Sequence, residues 1–501
     1  VTASDEKLGA GESRGLARGG LVSFVGSAVS AVMGFVLTIV LARTLGDTGS
    51  GIVLQAIAVF TIVLSFARAG MDSAAVWIMP RLVGHDPAKV RSALGFMFVA
   101  TAISGTVCAI GVALASPAFG ASGGADGQDV AEAVAIAGWF LPFGALALVA
   151  LAATRGLGGV VPYVGVGSIA LPTVRPVAVL LVAIAGGSYA AVTLAWSLPL
   201  PATLIAAVLV LRFQVRRSEA RAEVRGRWRA TPELRKQILA YALPRTLSAG
   251  LEQSLIWFDV VFVGILLGSA SAGIYGGASR FVAAGLVIDS ALRVVVSPRF
   301  SSLLFLGKID QLESLYRTAA TWLVLFGTPV YLILGIFAPV VLRILGPGFD
   351  TGSSALAILC AGAILTFAAG NVHSVLLMSG RSGWGAFNKA IVLAINVVGN
   401  LVLVPVIGIN GAAISWAASM LVDAALASVE VRRFVGVRLS FRTVGYALLV
   451  AILSVALPSI AVRLLLGENL AGLVTATAVS IVVFFSWCIL DKRRLRLGDL
   501  H

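Results

Sequence analysis

The sequence predicts an all-α integral membrane protein of about fourteen spanning helices, and three observations predict it. Of its 501 residues, 59% are hydrophobic and 12% charged, with a mean hydropathy of +1.00, whereas soluble domains carry about 25% charged residues. Apolar runs of about 20 residues recur along the whole chain, the length a helix needs to cross a bilayer. Lys and Arg gather in alternate connections between those runs, a pattern that sets orientation in a membrane. The formal net charge of +14 therefore reads as topology, with anionic lipid headgroups as its neighbours. Nucleic acid is excluded as a partner by the same argument.

Taken in order, the first six apolar runs cover about 19–42, 50–68, 92–115, 131–153, 163–185 and 189–211. The first is longer than the core of a signal peptide and lacks a small-residue cleavage site, so it reads as a span. Segment 212–237 follows with nine cations and reads as a basic cytoplasmic linker. Eight further runs cover about 238–267, 272–297, 318–342, 353–377, 386–405, 411–431, 443–462 and 470–490. The expected organisation is a cytoplasmic N-terminus (1–18), an N-lobe (19–211), the linker (212–237), a C-lobe (238–431), two last spans (443–490) and a cytoplasmic tail (491–501). With both termini inside, the internal connections hold 30 Lys and Arg, and the external ones only Arg43, Arg343 and Arg463. Cys108, Cys360 and Cys488 all lie in apolar runs, so neither a disulfide framework nor a zinc site is expected.

Two local matches share one offset. Leu45-Gly46 with Gly51-Ile52 recurs 222 residues later as Leu267-Gly268 with Gly273-Ile274, and Ala190–Thr193 recurs at the same shift as Ala412–Ser415. A six-plus-six duplication follows. Its two six-helix lobes are parallel repeats related by a pseudo-twofold axis along the membrane normal, with two C-terminal helices outside the repeat.

Ionisable residues inside spans need a partner, a cavity or a route to the interface. Four arginines fall there: Arg175, Arg245, Arg280 and Arg293. Arg293 lies four residues from Asp289, so an ion pair along one helix accounts for it. Arg245, Glu252 and Asp259 are spaced by seven and share nearly one helical face with Ser248. Arg245 lies about 10 Å from the start of its span and Glu252 about 21 Å, too deep for that carboxylate to reach water from a lipid-facing position. The stripe is expected to face a central cavity, as a substrate or ion site or as a salt-bridge ladder. Pro244 allows a local bend in that helix. Arg280 has no carboxylate within a turn and needs a partner from another helix or an anionic ligand. Arg175 stands between Pro172 and Pro176, a spacing that predicts a local helix break. Asn396 and Asn400 are i, i+4 on one span, with Asn388 two turns earlier, and Ser415 opens the next. His373 reads as a packed polar residue before a proton relay.

The count of about fourteen helices, the hairpin Leu41–Gly51, the segment Gly408–Ala413, Gly273-Ile274-Tyr275 and the stretch Pro298–Tyr316 together resemble the polysaccharide exporters, the Wzx-type lipid-linked oligosaccharide flippases of the MOP superfamily. The resemblance covers nearly the whole chain. It implies two lobes around a cavity and alternating access that moves a polyprenyl-diphosphate oligosaccharide, a precursor of O-antigen, teichoic acid or capsule, across a bacterial cell membrane. Polysaccharide polymerase and ligase machinery are the partners it implies. Guanidinium groups suit that cargo because they hold phosphate oxygens bidentately where water is scarce. The expected diphosphate ligands are Arg245, Arg280 and Arg175, with Arg18 at the entrance by the resemblance. No cofactor is needed beyond a coupling ion, Na⁺ or H⁺. Similarity to sodium-coupled superfamily members implies Asn396, Asn400, Ser415 and Glu252 or Asp259 as oxygen ligands, with helix–helix hydrogen bonding as the alternative reading of the same residues. A proton needs only Glu252. Two other functions compete: a MATE-like multidrug or small-molecule exporter, and a membrane polysaccharide polymerase or ligase. The second lacks the external catalytic loop such enzymes carry, since the longest external segment is 116–130.

Overall fold

In a computed structural model, residues 3–122, 124–224, 226–379, 381–437, 441–492 and 494–495 are described, with side chains from Gly19 onward except at 122, 287, 290, 291, 294, 382 and 441–443. Every regular element among them is helical. The helices are α1 (Ala3–Ala67), α2 (Met71–His85), α3 (Val90–Ser122), α4 (Gly127–Trp139), α5 (Leu141–Gly156), α6 (Val160–Ile184), α7 (Tyr189–Ala222) and α8 (Pro232–Leu267). They continue as α9 (Ser269–Gly285), α10 (Val287–Phe305), α11 (Ile309–Ile336), α12 (Ser353–Phe367), α13 (Val372–Met378), α14 (Ser382–Ile407), α15 (Ile409–Val435), α16 (Val444–Leu466) and α17 (Leu470–Leu490). Among the described residues, eleven helices are long and apolar enough to cross a bilayer, or twelve if the bent pair α4 and α5 counts as one span. This is a multi-pass membrane protein.

The expected fourteen spans differ from that number at two places. The first two runs form one helical stretch, interrupted only at Gly46 (φ 70°, ψ −168°), a left-handed backbone that glycine alone adopts without a Cβ clash. The eighth run is broken at Leu286 into α9 and α10. Hydropathy detects neither a kink nor a break. The turn backbone does repeat at the offset read from sequence: Gly46 and Gly268, and likewise Gly186 and Gly408, are 222 residues apart and all have positive φ.

The break expected at Arg175 is displaced. Residues Tyr163–Ala170 form a π segment, and regular α-helix runs from Leu171 to Ile184 through Pro176. The wider π turn meets the lost Pro172 hydrogen bond before the chain reaches Arg175. Helix α8 likewise runs through Pro244.

The described chain divides into two units, 1–45 with 52–257, and 46–51 with 258–501. The division falls within α8. Residues 212–222 of the basic segment continue α7 as helix. In the first unit, α5 packs on α2, α3 and α7. Met71, Ile78, Met97, Val149 and Leu211 bury a core there, to which Ile238 and Ala242 of α8 belong. In the second unit, α15 packs on α12 and α14, and α11 on α12 and α16.

Candidate functional sites

The first unit carries a cavity of about 320 Å³ lined by Asp72, Ser73, Val76, Ala152, Arg155, Tyr163, Tyr241 and Arg245. Helix spacing builds most of it. Tyr241 and Arg245 are i, i+4 on α8, and the guanidinium stands 5.9 Å from the Tyr241 ring centroid. Tyr241 also stacks on Trp77 of α2, centroids 4.5 Å apart and planes at 8°. Arg81, one turn along α2, covers the Trp77 ring at 4.3 Å. Arg155 ends α5 and lies 5.5 Å from the Tyr163 ring at the start of the π segment. Asp72 pairs with Arg68 at 2.8 Å, so the carboxylate is already neutralised. Among the described residues, neither Arg155 nor Arg245 has a carboxylate or hydrogen-bond partner. Two guanidinium groups without a carboxylate partner among the described residues give the cavity a cationic lining suited to an anion.

A second polar group lies in the other unit. Asp259 is 3% exposed; its Oδ1 accepts from Asn400 Nδ2 at 2.8 Å and its Oδ2 from the Tyr275 hydroxyl at 3.0 Å. Asn400 Nδ2 also donates to the Asn396 backbone oxygen at 2.8 Å. The Oδ1 of Asn400 and the Nδ2 of Asn396 are buried without a hydrogen-bond partner. Across the α14–α15 hairpin, Ser415 packs against Gly399: a Cβ there would lie 2.6 Å from its Oγ, and that hydroxyl donates to Gly411 O at 2.8 Å. A carboxylate and two amide oxygens are hard oxygen donors, and the orphaned Asn400 Oδ1 leaves an acceptor of the kind a cation takes.

The structure thus gathers Asp259, Asn396 and Asn400, and separately gathers Arg245 with Arg155. Glu252 is exposed and has no ion pair among the described residues. Arg175 does not line the cavity; its Nε donates to Trp196 O at 3.2 Å and its guanidinium lies 3.9 Å over that ring. Arg280 is part-buried on α9 in the second unit. Arg18 falls within α1, but its side chain lies outside the described residues. Arg293 pairs with Asp289 at 2.6 Å, as the spacing predicts. Asn388 donates to Glu430 at 2.8 Å and is not part of the Asp259 group. His373 meets Asp423 at 3.3 Å, and Lys389 bonds the same carboxylate.

Sequence reasoning missed Arg155, Tyr163, Trp77 and Tyr275. The pairs Trp77 with Arg81 and Tyr241 with Arg245, each i, i+4, were available signals. Arg155 had none, since a cation in a short connection looks like any other topology charge.

Over 198 residues the chain is 27% identical to the "Probable low-salt glycan biosynthesis flippase Agl15" of Haloferax volcanii, covering 38% of this chain and 40% of that one. The match therefore spans about two fifths of that relative. Among solved structures, the "Lipid II flippase MurJ" in an inward closed conformation aligns over 95% of this chain and 99% of its own, with TM-score 0.73 and 15% identity. A multidrug resistance MATE family transporter of the MOP superfamily, in an inward-facing conformation, aligns over 81% and 95% with TM-score 0.67 and 15% identity. These structural likenesses establish a shared fold, and the relatives are flippases and transporters, not enzymes. Residues 16–304, more than half the chain, match the polysaccharide biosynthesis protein family, and the chain belongs to that family.

Proposed function

We propose that this protein flips a polyprenyl-diphosphate-linked oligosaccharide, a precursor of cell-surface polysaccharide, across the membrane by alternating access, coupled to an ion. The observation that carries the reading is the cavity with Arg155 and Arg245 uncompensated beside Tyr163 and Tyr241. Two guanidinium groups match a diphosphate, and the rings beside them hold those groups in place. At about 320 Å³ the cavity is at the low end for small-molecule sites, so it takes the diphosphate and adjoining sugar and leaves the rest of the glycan less constrained. Family membership and the printed role of the glycan flippase from Haloferax volcanii support the same cargo. A cationic lining is a poor fit for cationic drugs, which disfavours a multidrug exporter.

Sodium is the coupling ion that the oxygen set suits best. Asp259, Asn396, Asn400 and Ser415 would hold it, and its charge would offset the buried carboxylate. A proton on the exposed Glu252 is the competing route. The direct test is reconstitution in liposomes with a fluorescent polyprenyl-diphosphate oligosaccharide and a membrane-impermeant quencher. Wild type should move the label between leaflets faster with a sodium gradient than without one, and Arg155→Gln with Arg245→Gln should not. Failure of the wild type to move that lipid in a sealed, correctly inserted preparation refutes the proposal.

A further inference from the structure

The first unit contains another cavity, about 470 Å³, where no part of the flippase mechanism is needed. Gln214, Arg217, Ser218 and Arg221 line one wall, and their i, i+3, i+4, i+7 spacing places them on one face of α7. The opposite wall is the loop Leu157–Gly159 between α5 and α6. Gly158 turns that loop at φ 89°. Gly159 brings the backbone so close to Gln214 that a Cβ there would lie 2.0 Å from its Nε2.

Three features call for a ligand. Arg217 and Arg221 have no carboxylate or hydrogen-bond partner among the described residues, although Glu219 between them is held by Arg91 at 2.6 Å. The Oε1 of Gln214 is buried with no donor. The location also fits a charged ligand: α7 has 34 residues and is about 51 Å long, against about 30 Å of hydrocarbon, so its last turns stand at headgroup depth or beyond. Trp228, 65% exposed just beyond the end of that helix, fits that level as interfacial tryptophans do.

We infer that this cavity binds a hydroxylated phosphate ester, with Arg217 and Arg221 holding the phosphate and Gln214 Oε1 accepting from a ligand hydroxyl. A glycerophosphate headgroup and a free glycerol or sugar phosphate share that chemistry. The loop wall bears on the glycan cavity, since the loop Gly156–Gly159 joins Arg155 to Tyr163 through only three further residues. Filling the site fixes that loop and so pre-positions both side chains.

The test uses the full chain in nanodiscs, with native mass spectrometry for retained lipid and thermal unfolding for soluble ligands. Phosphatidylglycerol is compared with phosphatidylmethanol, which has the same charge without the hydroxyls, and with phosphatidylcholine; glycerol 3-phosphate is the soluble probe. Wild type should retain phosphatidylglycerol over both other lipids, and R217Q with R221Q should lower that retention about tenfold, as for loss of charge-assisted bonds. R212Q with R216Q, exposed on the same helix but outside the cavity, should stay within about twofold, the size of a bulk-charge effect. Gln214→Leu should erase the preference for phosphatidylglycerol over phosphatidylmethanol. Should the double glutamine variant aggregate, Gln214→Leu alone carries the test. Stabilisation by glycerol 3-phosphate without lipid discrimination assigns the site to a soluble ester. Equal losses in both double variants, or no preference for phosphatidylglycerol and no response to glycerol 3-phosphate, overturn the inference.

Discussion

Replacing Asp259 separates its charge from its hydrogen bonding. In Asp259→Ala, the buried Tyr275 hydroxyl loses its 3.0 Å acceptor, whereas Asn400 Nδ2 keeps the Asn396 carbonyl at 2.8 Å. One orphaned buried donor costs about 1–3 kcal/mol, and the void left by the carboxylate adds about 1 kcal/mol. The alanine variant should therefore lose about 2–4 kcal/mol. Asp259→Asn keeps the shape and the acceptor for Asn400, while its NH2 can donate to the Tyr275 oxygen; the Tyr275 hydroxyl proton still loses its acceptor. Its cost should be about 1–2 kcal/mol, below that of the alanine variant because the amide fills the void. Sodium at a hundred times its Kd should stabilise the wild type by about 2.7 kcal/mol and should not stabilise either variant. Equilibrium unfolding in mixed micelles, with sodium or choline as the cation, measures all of these differences. A sodium response that survives in Asp259→Asn refutes the ion site; an asparagine variant as unstable as the alanine variant refutes the hydrogen-bond argument.

Other outcomes follow from the same geometry. Arg245→Gln or Arg155→Gln should lower affinity for the lipid diphosphate about tenfold or more, the worth of one charge-assisted contact. Neither should lower stability by more than about 1 kcal/mol, since both are exposed and held only by ring contacts; ligand binding and unfolding measured on one preparation decide this. Gly51→Ala and Gly273→Ala should each cost at least about 1–3 kcal/mol, because the added Cβ would lie 1.8 Å from Ser269 O and 2.1 Å from Asp47 O respectively. Unfolding at unchanged expression temperature checks them, and a neutral Gly51→Ala contradicts the close crossing. Asp423→Ala should cost about 3–5 kcal/mol by stranding Lys389, with Lys389→Met on the same background recovering part of the loss.

The spanning helices were legible because a bilayer demands long apolar runs, a strong one-dimensional signal. The kink at Gly46 and the break at Leu286 were not, since both interrupt geometry without interrupting hydropathy. The oxygen cluster was readable in part: Asn396 and Asn400 declare a shared face by spacing, and Asp259 is costly in lipid without partners. Tyr275 escaped because a tyrosine in a span is chemically unremarkable until its hydroxyl is seen at a carboxylate. Arg175 shows the opposite limit. Its partner is Trp196 on another helix, a tertiary contact that no local periodicity records. Arg155 was hidden among topology charges, and only the fold distinguishes it from the other cations of the connections.

The central claim is tested most directly by leaflet-resolved profiling of lipid-linked glycans in cells from which the gene has been removed. The account predicts accumulation of a polyprenyl-diphosphate oligosaccharide in the inner leaflet, reversed by the wild type and not by Arg245→Gln expressed at the same level. An unchanged profile in cells with no second flippase would contradict it.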